Sequence, residues 1–238
     1  MLLFYLRHGD PIYDPDSLTE QGMLQAEALS KRLSRYGIDK IFASTSNRAI
    51  LTARPTADAL SKEIAYLDWC NESHAWRDLT VRKEDGKLIW GFQYKPIAEF
   101  FLSESITTLG RQWYEHPEFS NTRFKEGFLR IERETYSFLE ELGYKHDYGR
   151  RGYVATRPND ERVALFAHQG FGLAFLSALL DIPYPEFCTR FDIGHTGMTV
   201  IDFSSDDGFV IPKVLQLSND SHLYREDLPT KYNNRILI

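Results

Sequence analysis

Leu2-Leu3-Phe4-Tyr5-Leu6-Arg7-His8-Gly9 sets an unbroken apolar run directly against a cation, an imidazole and a glycine. A run without polar alternation reads as a strand buried on both faces, the kind found inside a parallel sheet covered by helices. The plan recurs downstream, where Val163-Ala164-Leu165-Phe166-Ala167 runs into His168-Gln169-Gly170. Two strands that each end in a histidine, with a glycine within two residues, put polar chemistry at strand carboxyl ends. That is where ligands bind in open α/β sheets.

The segments around these strands supply the helices. Thr19 can cap a helix in which Ala26, Leu29 and Leu33 recur at helical spacing and which Gly37 stops. Lys40–Ser44 reads as a strand, Ser46 or Asn47 as the cap of a helix to Leu60 that Pro55 should interrupt, and Ile64–Leu67 as a further strand. The order β, α, β, α, β favours a sheet with crossover helices. Further on, Phe128–Leu142 reads as a helix ended by Gly143, and 144–161 as a polar loop or hairpin containing Arg150, Arg151 and Arg157. Phe171–Leu180 reads as a helix that Pro183 closes. Met198–Phe203 and Val210–Leu217 read as strands joined by a turn around Asp206, Asp207 and Gly208, and nothing clear follows from Ser218.

The stretch from about Cys70 to Gly127 has no clean period and is dense in aromatics: Trp69 at its edge, then Trp76, Trp90, Phe92, Tyr94, Phe100, Phe101, Trp113, Tyr114 and Phe119. Such a segment reads as a cap whose rings serve first as its own core, while its position over a site lets it shape specificity. The expected fold is α/β: a three-layer α/β/α sandwich around a mostly parallel sheet, with an inserted helical and aromatic cap. One domain is expected over 1–238, the insertion covering about 73–127.

With 238 residues, 42% of them apolar and 26% charged, the chain suits a globular domain with a sizeable core. Its net charge of -6 opposes a general association with nucleic acid or an anionic membrane, so an anionic partner must be met by a local basic pocket. The two cysteines, Cys70 and Cys188, are far apart and lack metal-type spacing, which suits a reducing compartment. No stretch has the roughly 18 consecutive apolar residues of a membrane span. The N-terminus has neither the basic flank nor the cleavage site of a signal peptide, and a cytoplasmic location is expected.

Beyond the two histidines, Arg48 follows a strand at the start of a helix, where anions are favoured and a guanidinium fork fits phosphate oxygens. Glu72, in Asn71-Glu72-Ser73-His74, lies where the chain enters the cap. Taken singly, each has a bland explanation: a surface arginine, a solvated carboxylate, a satisfied core histidine. Their joint order gives them weight. His74, Trp76, Gln169 and His195 are secondary candidates on the substrate side, and no histidine pair has metal-ligand spacing, so neither metal nor cofactor is expected.

In this order the sequence resembles the histidine phosphatase superfamily, which includes phosphoglycerate mutases and many phosphatases. The resemblance rests on Leu6-Arg7-His8-Gly9, on Leu18-Thr19-Glu20-Gln21-Gly22 with Gln25-Ala26, on Ser44 with Arg48-Ala49 and Thr52-Ala53, on Glu72, and on His168. Gln169 stands where the family usually has glycine, and Asp10-Pro11 replaces a commoner pair. The resemblance implies that His8 is the nucleophile and Glu72 the proton donor, and that Arg7, Arg48 and His168 hold phosphate. Neighbouring cations are expected to keep His8 neutral, and a bound phosphate dianion to raise the pKa of Glu72. The implied activity is hydrolysis of a small phosphorylated substrate through a phosphohistidine, without metal. A phosphoglycerate-type mutase and a non-catalytic phospho-ligand or protein-binding module are the alternatives. The insertion lacks recognisable paired arginines for a phosphoglycerate carboxylate. No oligomeric state is indicated.

Overall fold

The computed structural model describes residues 1–204, 207–232 and 234. Its centre is a six-stranded sheet in the spatial order Lys213–Asn219, Met198–Asp202, Leu2–Arg7, Arg162–Ala167, Lys40–Ser44, Ile64–Leu67. The pairings of 2–7 with 162–167, of 162–167 with 40–44 and of 40–44 with 64–67 are parallel, and the two pairings on the other side are antiparallel.

Both key strands are buried on both faces, as their composition requires. Leu3 and Tyr5, with Val163, Leu165 and Ala167, point to one core; Phe4 and Leu6, with Ala164 and Phe166, point to the other. Helices Glu20–Tyr36 and Asn47–Leu60 pack together over the second face through Leu29, Leu33, Ala53 and Ala57. Helices Phe124–Glu141 and Gln169–Leu179 pack together over the first. This is the expected three-layer α/β/α arrangement.

The first helix begins and ends as its sequence dictates. Thr19 Oγ1 accepts from the Gly22 N–H at 3.0 Å, and Gly37 adopts φ 73°, a conformation that costs glycine little. Other boundaries differ from expectation. The helix from Asn47 runs to Leu60 straight through Pro55, which removes only the bond its own N–H would have made. The helix expected at Phe128 starts at Phe124, because Gly127 is not a boundary. A Cβ there would lie 2.4 Å from Asp78 Cβ, so Gly127 permits close packing of the 72–79 helix against this one.

The 144–161 stretch is a hairpin of Tyr144–Asp147 and Gly152–Ala155, with a third strand supplied by Phe209–Val210. That third strand breaks up the expected simple hairpin near the C-terminus. Met198–Asp202 does pair antiparallel with Lys213–Asn219, but the connection between them leaves the sheet to pair with Gly152–Ala155. Asp206 lies outside the described residues, and Asp207 and Gly208 precede the detour. The tail without signal contains a helix, Ser221–Arg225, that buries His222 and Leu223 near the 20–36 helix.

Most rings of the aromatic segment form core. Phe101, Trp113, Phe119 and Phe124 meet one another mostly edge to face, with Tyr184 and Phe128 against them. Such pairs contribute about 0.5–1.5 kcal/mol each beyond area burial. Among the described residues no helix is long and apolar enough to cross a membrane.

Candidate active site

The parallel register sets Leu6 opposite Phe166 and Arg7 opposite Ala167, so the next residues, His8 and His168, emerge side by side at the strand ends. Their ring centroids are 5.3 Å apart. His8 Nδ1 lies 2.7 Å from the Gly9 carbonyl oxygen. A carbonyl only accepts, so Nδ1 carries the proton and Nε2 keeps its lone pair. The His8 backbone is itself pinned, its N–H donating to Ala167 O at 3.0 Å. Gly9 donates to Thr52 Oγ1 at 2.9 Å, and that hydroxyl donates to Arg48 O at 2.7 Å, which ties the histidine loop to the arginine's helix.

A similar argument assigns the other rings. Arg48 Nη2 is 3.3 Å from His168 Nδ1, and a guanidinium cannot accept, so Nδ1 is the acceptor. His168 Nε2–H then donates to Ser44 Oγ at 2.8 Å. Arg7 donates from Nη1 to Ile193 O at 2.7 Å and from Nη2 to His195 Nε2 at 2.9 Å. The remaining His195 nitrogen, Nδ1, faces Asp10 Oδ1 at 3.4 Å.

His8 and His168 are both held well below the usual histidine pKa. For His8, burial is the main cause, followed by His168 and Arg7; for His168, burial is followed by Arg48 and Arg7. The cations expected to keep His8 neutral thus contribute, but desolvation leads. His195 is brought down to about 4, again by burial first and Arg7 second.

Glu72 begins the helix Glu72–Leu79, capped by Asn71, whose side chain accepts from the Ser73 N–H. Its carboxylate reaches the N-terminus of the 169–179 helix, where Gly170 N donates to Oε1 at 3.0 Å and Phe171 N to Oε2 at 3.1 Å. Burial raises the Glu72 pKa, while these N–H bonds and the two arginines pull the other way. The elevation expected from bound phosphate is therefore already present without an anion.

Arg7, His8, Arg48, Glu72, Trp76 and Gln169 line one cavity of about 830 Å³. His168 lies beneath it, fully buried, and His195 stands behind Arg7. His74 does not line the cavity; its Nε2 pairs with Asp68 Oδ2 at 3.0 Å. A side chain six residues earlier, in the 3-10 turn Asp68–Cys70 that precedes the helix, thus takes the ring that the sequence offered to substrate. Gln169 is held by Asp192 through its side-chain amide.

Several lining residues carried no individual signal in the sequence. Asp16 accepts from Arg48 Nη1 at 2.7 Å and from the Asn47 N–H at 2.7 Å, capping a helix whose own Ser46 makes no cap bond. Its place just before Leu18-Thr19 was the available hint. Tyr13 lies over Arg48, 5.5 Å from guanidinium carbon to ring centroid. Trp90 and Gln93 also face the cavity, Trp90 having been only one aromatic among many. Among the described residues no group of three or more His, Cys, Asp or Glu side chains could hold a metal ion.

Residues 4–90 match the model of the histidine phosphatase superfamily (branch 1). That span holds His8, Arg48 and Glu72 and stops short of His168. Phosphoserine phosphatase 1 of Hydrogenobacter thermophilus is 27% identical over 136 residues, 57% of this chain and 56% of that protein, so the similarity spans about half the relative's length. Among solved structures, phosphoserine phosphatase of Entamoeba histolytica in complex with phosphoserine superposes with TM-score 0.59 at 16% identity, covering 93% of this chain and 98% of that one. The alpha-ribazole phosphatase of Shigella flexneri gives 0.58 at 17%, covering 92% and 97%. Mycobacterial glucosyl-3-phosphoglycerate phosphatase gives 0.58 at 18%, covering 91% and 98%. The superfamily resemblance read from the motifs is borne out, and the fold is shared over nearly the whole chain.

Proposed function

We propose that this chain, with the histidine phosphatase superfamily match as premise, is a metal-independent phosphomonoesterase that works through a phosphohistidine on His8. The observation that carries the reading is the His8 Nδ1 to Gly9 O bond, which leaves Nε2 as a neutral nucleophile in a cavity shared with two arginines and a carboxyl group of raised pKa. In the first step the Nε2 lone pair attacks phosphorus and the P–O ester bond breaks. The departing oxygen takes the proton of Glu72. In the second step Glu72 accepts a proton from water, the water oxygen attacks phosphorus, and the P–N bond breaks to return the lone pair to Nε2. Arg7, Arg48 and His168 hold the equatorial oxygens and supply the positive field that phosphoryl transfer needs. Gln169, Trp76 and His195 act around this centre, His195 through its bond to Arg7.

Residues 1–238 act as one phosphoglycerate mutase-like domain with 73–127 as its cap, acting on a small phosphorylated substrate in the cytoplasm, with no nucleic-acid or membrane partner. Among the described residues the arginines of the cavity lining are Arg7 and Arg48, with no second guanidinium pair for the carboxylate that a phosphoglycerate mutase binds. The test is hydrolysis of p-nitrophenyl phosphate with EDTA present, by wild type and His8→Ala. Turnover that survives EDTA and vanishes in the variant supports the reading. EDTA-sensitive turnover, or turnover retained in His8→Ala, overturns it.

A further inference from the structure

Resting on the phosphatase reading, we infer that the leaving-group side of the cavity selects phosphate esters of neutral, ring-bearing alcohols and discriminates against carboxylate-bearing ones. Two indoles wall this side of the cavity. Trp76 is 37% exposed and faces the cavity; Trp90 meets it edge to face at 5.0 Å between centroids and 87° between planes. Trp90 is backed by Phe92, stacked at 5.8 Å, so the pair is a fixed wall. Its placement also explains Gly170. A Cβ at 170 would lie 2.5 Å from Trp90 Cη2, so only glycine lets the indole lie against the helix end whose N–H groups hold Glu72.

Charge sets the second half of the inference. The phosphate dianion consumes the field of Arg7 and Arg48, the cations of the lining, and what then faces the leaving group is Asp16, Glu72 and the neutral amides Asn71, Gln93 and Gln169. A carboxylate placed there meets the Asp16 charge and, among the described lining residues, no cation left to pair with, whereas an uncharged ring meets an aromatic wall. Most rings of the aromatic segment are core, Trp90 among them with one edge on the cavity, but Trp76 is exposed there and free to meet a leaving group.

The test uses the full chain with benzyl phosphate, ethyl phosphate and phosphoserine, all of them alkyl esters that leave as alcohols after protonation, so selectivity reports the cavity. Benzyl phosphate should exceed phosphoserine in kcat/KM by about tenfold or more, the scale of one good aromatic contact plus an unfavourable charge. In Trp76→Ala the benzyl-to-ethyl ratio should fall about fivefold, mainly through KM, and Trp76→Phe should keep most of it. Phosphoserine turned over as well as benzyl phosphate overturns the inference, and so does a Trp76→Ala variant that lowers all three esters in parallel. In both cases turnover still depends on His8, and the phosphatase reading stands. Turnover that survives in His8→Ala counts against that reading, and this inference falls with it.

Discussion

Glu72 and Gly170 are joined by a 3.0 Å hydrogen bond across 98 residues of sequence, the Gly170 N–H donating to a carboxyl group whose pKa burial raises. Burial favours the acid form, and the helix N-terminus fixes its direction. Glu72→Gln preserves shape and removes the proton. On alkyl phosphates kcat should fall about 10²- to 10⁴-fold, the usual worth of a general acid. The loss should be much smaller on p-nitrophenyl phosphate, whose phenolate leaves without protonation. An equal loss on both ester classes would place the role of Glu72 in what they share, activation of water at the phosphohistidine or substrate positioning, rather than in protonating the leaving group. Wild-type turnover of alkyl esters should also decline as pH rises through the elevated Glu72 pKa.

Asp16 and Arg48 form an ion pair that a bound phosphate must share or displace. Asp16→Asn keeps one side-chain acceptor oxygen for the Asn47 N–H at the 47–60 helix end but removes the competing charge. Inorganic phosphate should then inhibit about two- to fivefold more tightly, the range of a partly exposed pair. Weaker inhibition in the variant would mean that Asp16 orients Arg48 rather than competing with phosphate.

Much of this site was legible because parallel pairing converts equal positions along two strands into neighbours in space. His8 and His168 each follow the last residue of a buried strand, Arg7 and Ala167, and the register pairs those two residues. Thr19 and Gly37 marked their helix because caps act within a few residues. What stayed hidden depends on contacts distant in sequence. Gly127 stood at the end of the aromatic stretch, outside the expected helix, yet it lies within that helix and packs on Asp78, and Phe209–Val210 could be separated from the final strand only by its pairing with Gly152–Ala155. His74 shared a motif with Glu72 but turns toward Asp68, since residues two apart on a helix face different ways.

Gly22 makes a prediction about geometry. A Cβ there would lie 2.2 Å from Asp10 O, while one on Gly9 would lie 2.6 Å from Gly22 O, so the histidine loop and the first helix touch backbone to backbone. Gly22→Ala should lower stability by about 1–3 kcal/mol, the cost of overpacking, and should reduce kcat/KM by shifting the loop that carries His8. Urea denaturation and turnover, measured side by side, check both. A variant with unchanged midpoint and unchanged turnover would show that the contact relaxes without cost.

His222 offers a pH prediction away from the chemistry. It is buried at the helix that follows the last strand, with Nε2 3.0 Å from Thr196 Oγ1, and its pKa is lowered to about 4 by burial first and by Arg32 second. An unfolded histidine titrates near 6.5. As pH falls below that value the unfolded chain takes up the proton and the folded chain does not, so stability is present above about 6.5 and is lost progressively toward 4. Each unit of that interval costs about 1.4 kcal/mol. Between pH 6.5 and 5 the wild type should therefore lose about 2 kcal/mol more than His222→Gln, which has no proton to take up. Urea midpoints at the two pH values measure the difference. Equal losses in the two proteins would mean that the His222 ring titrates alike in the folded and unfolded chain.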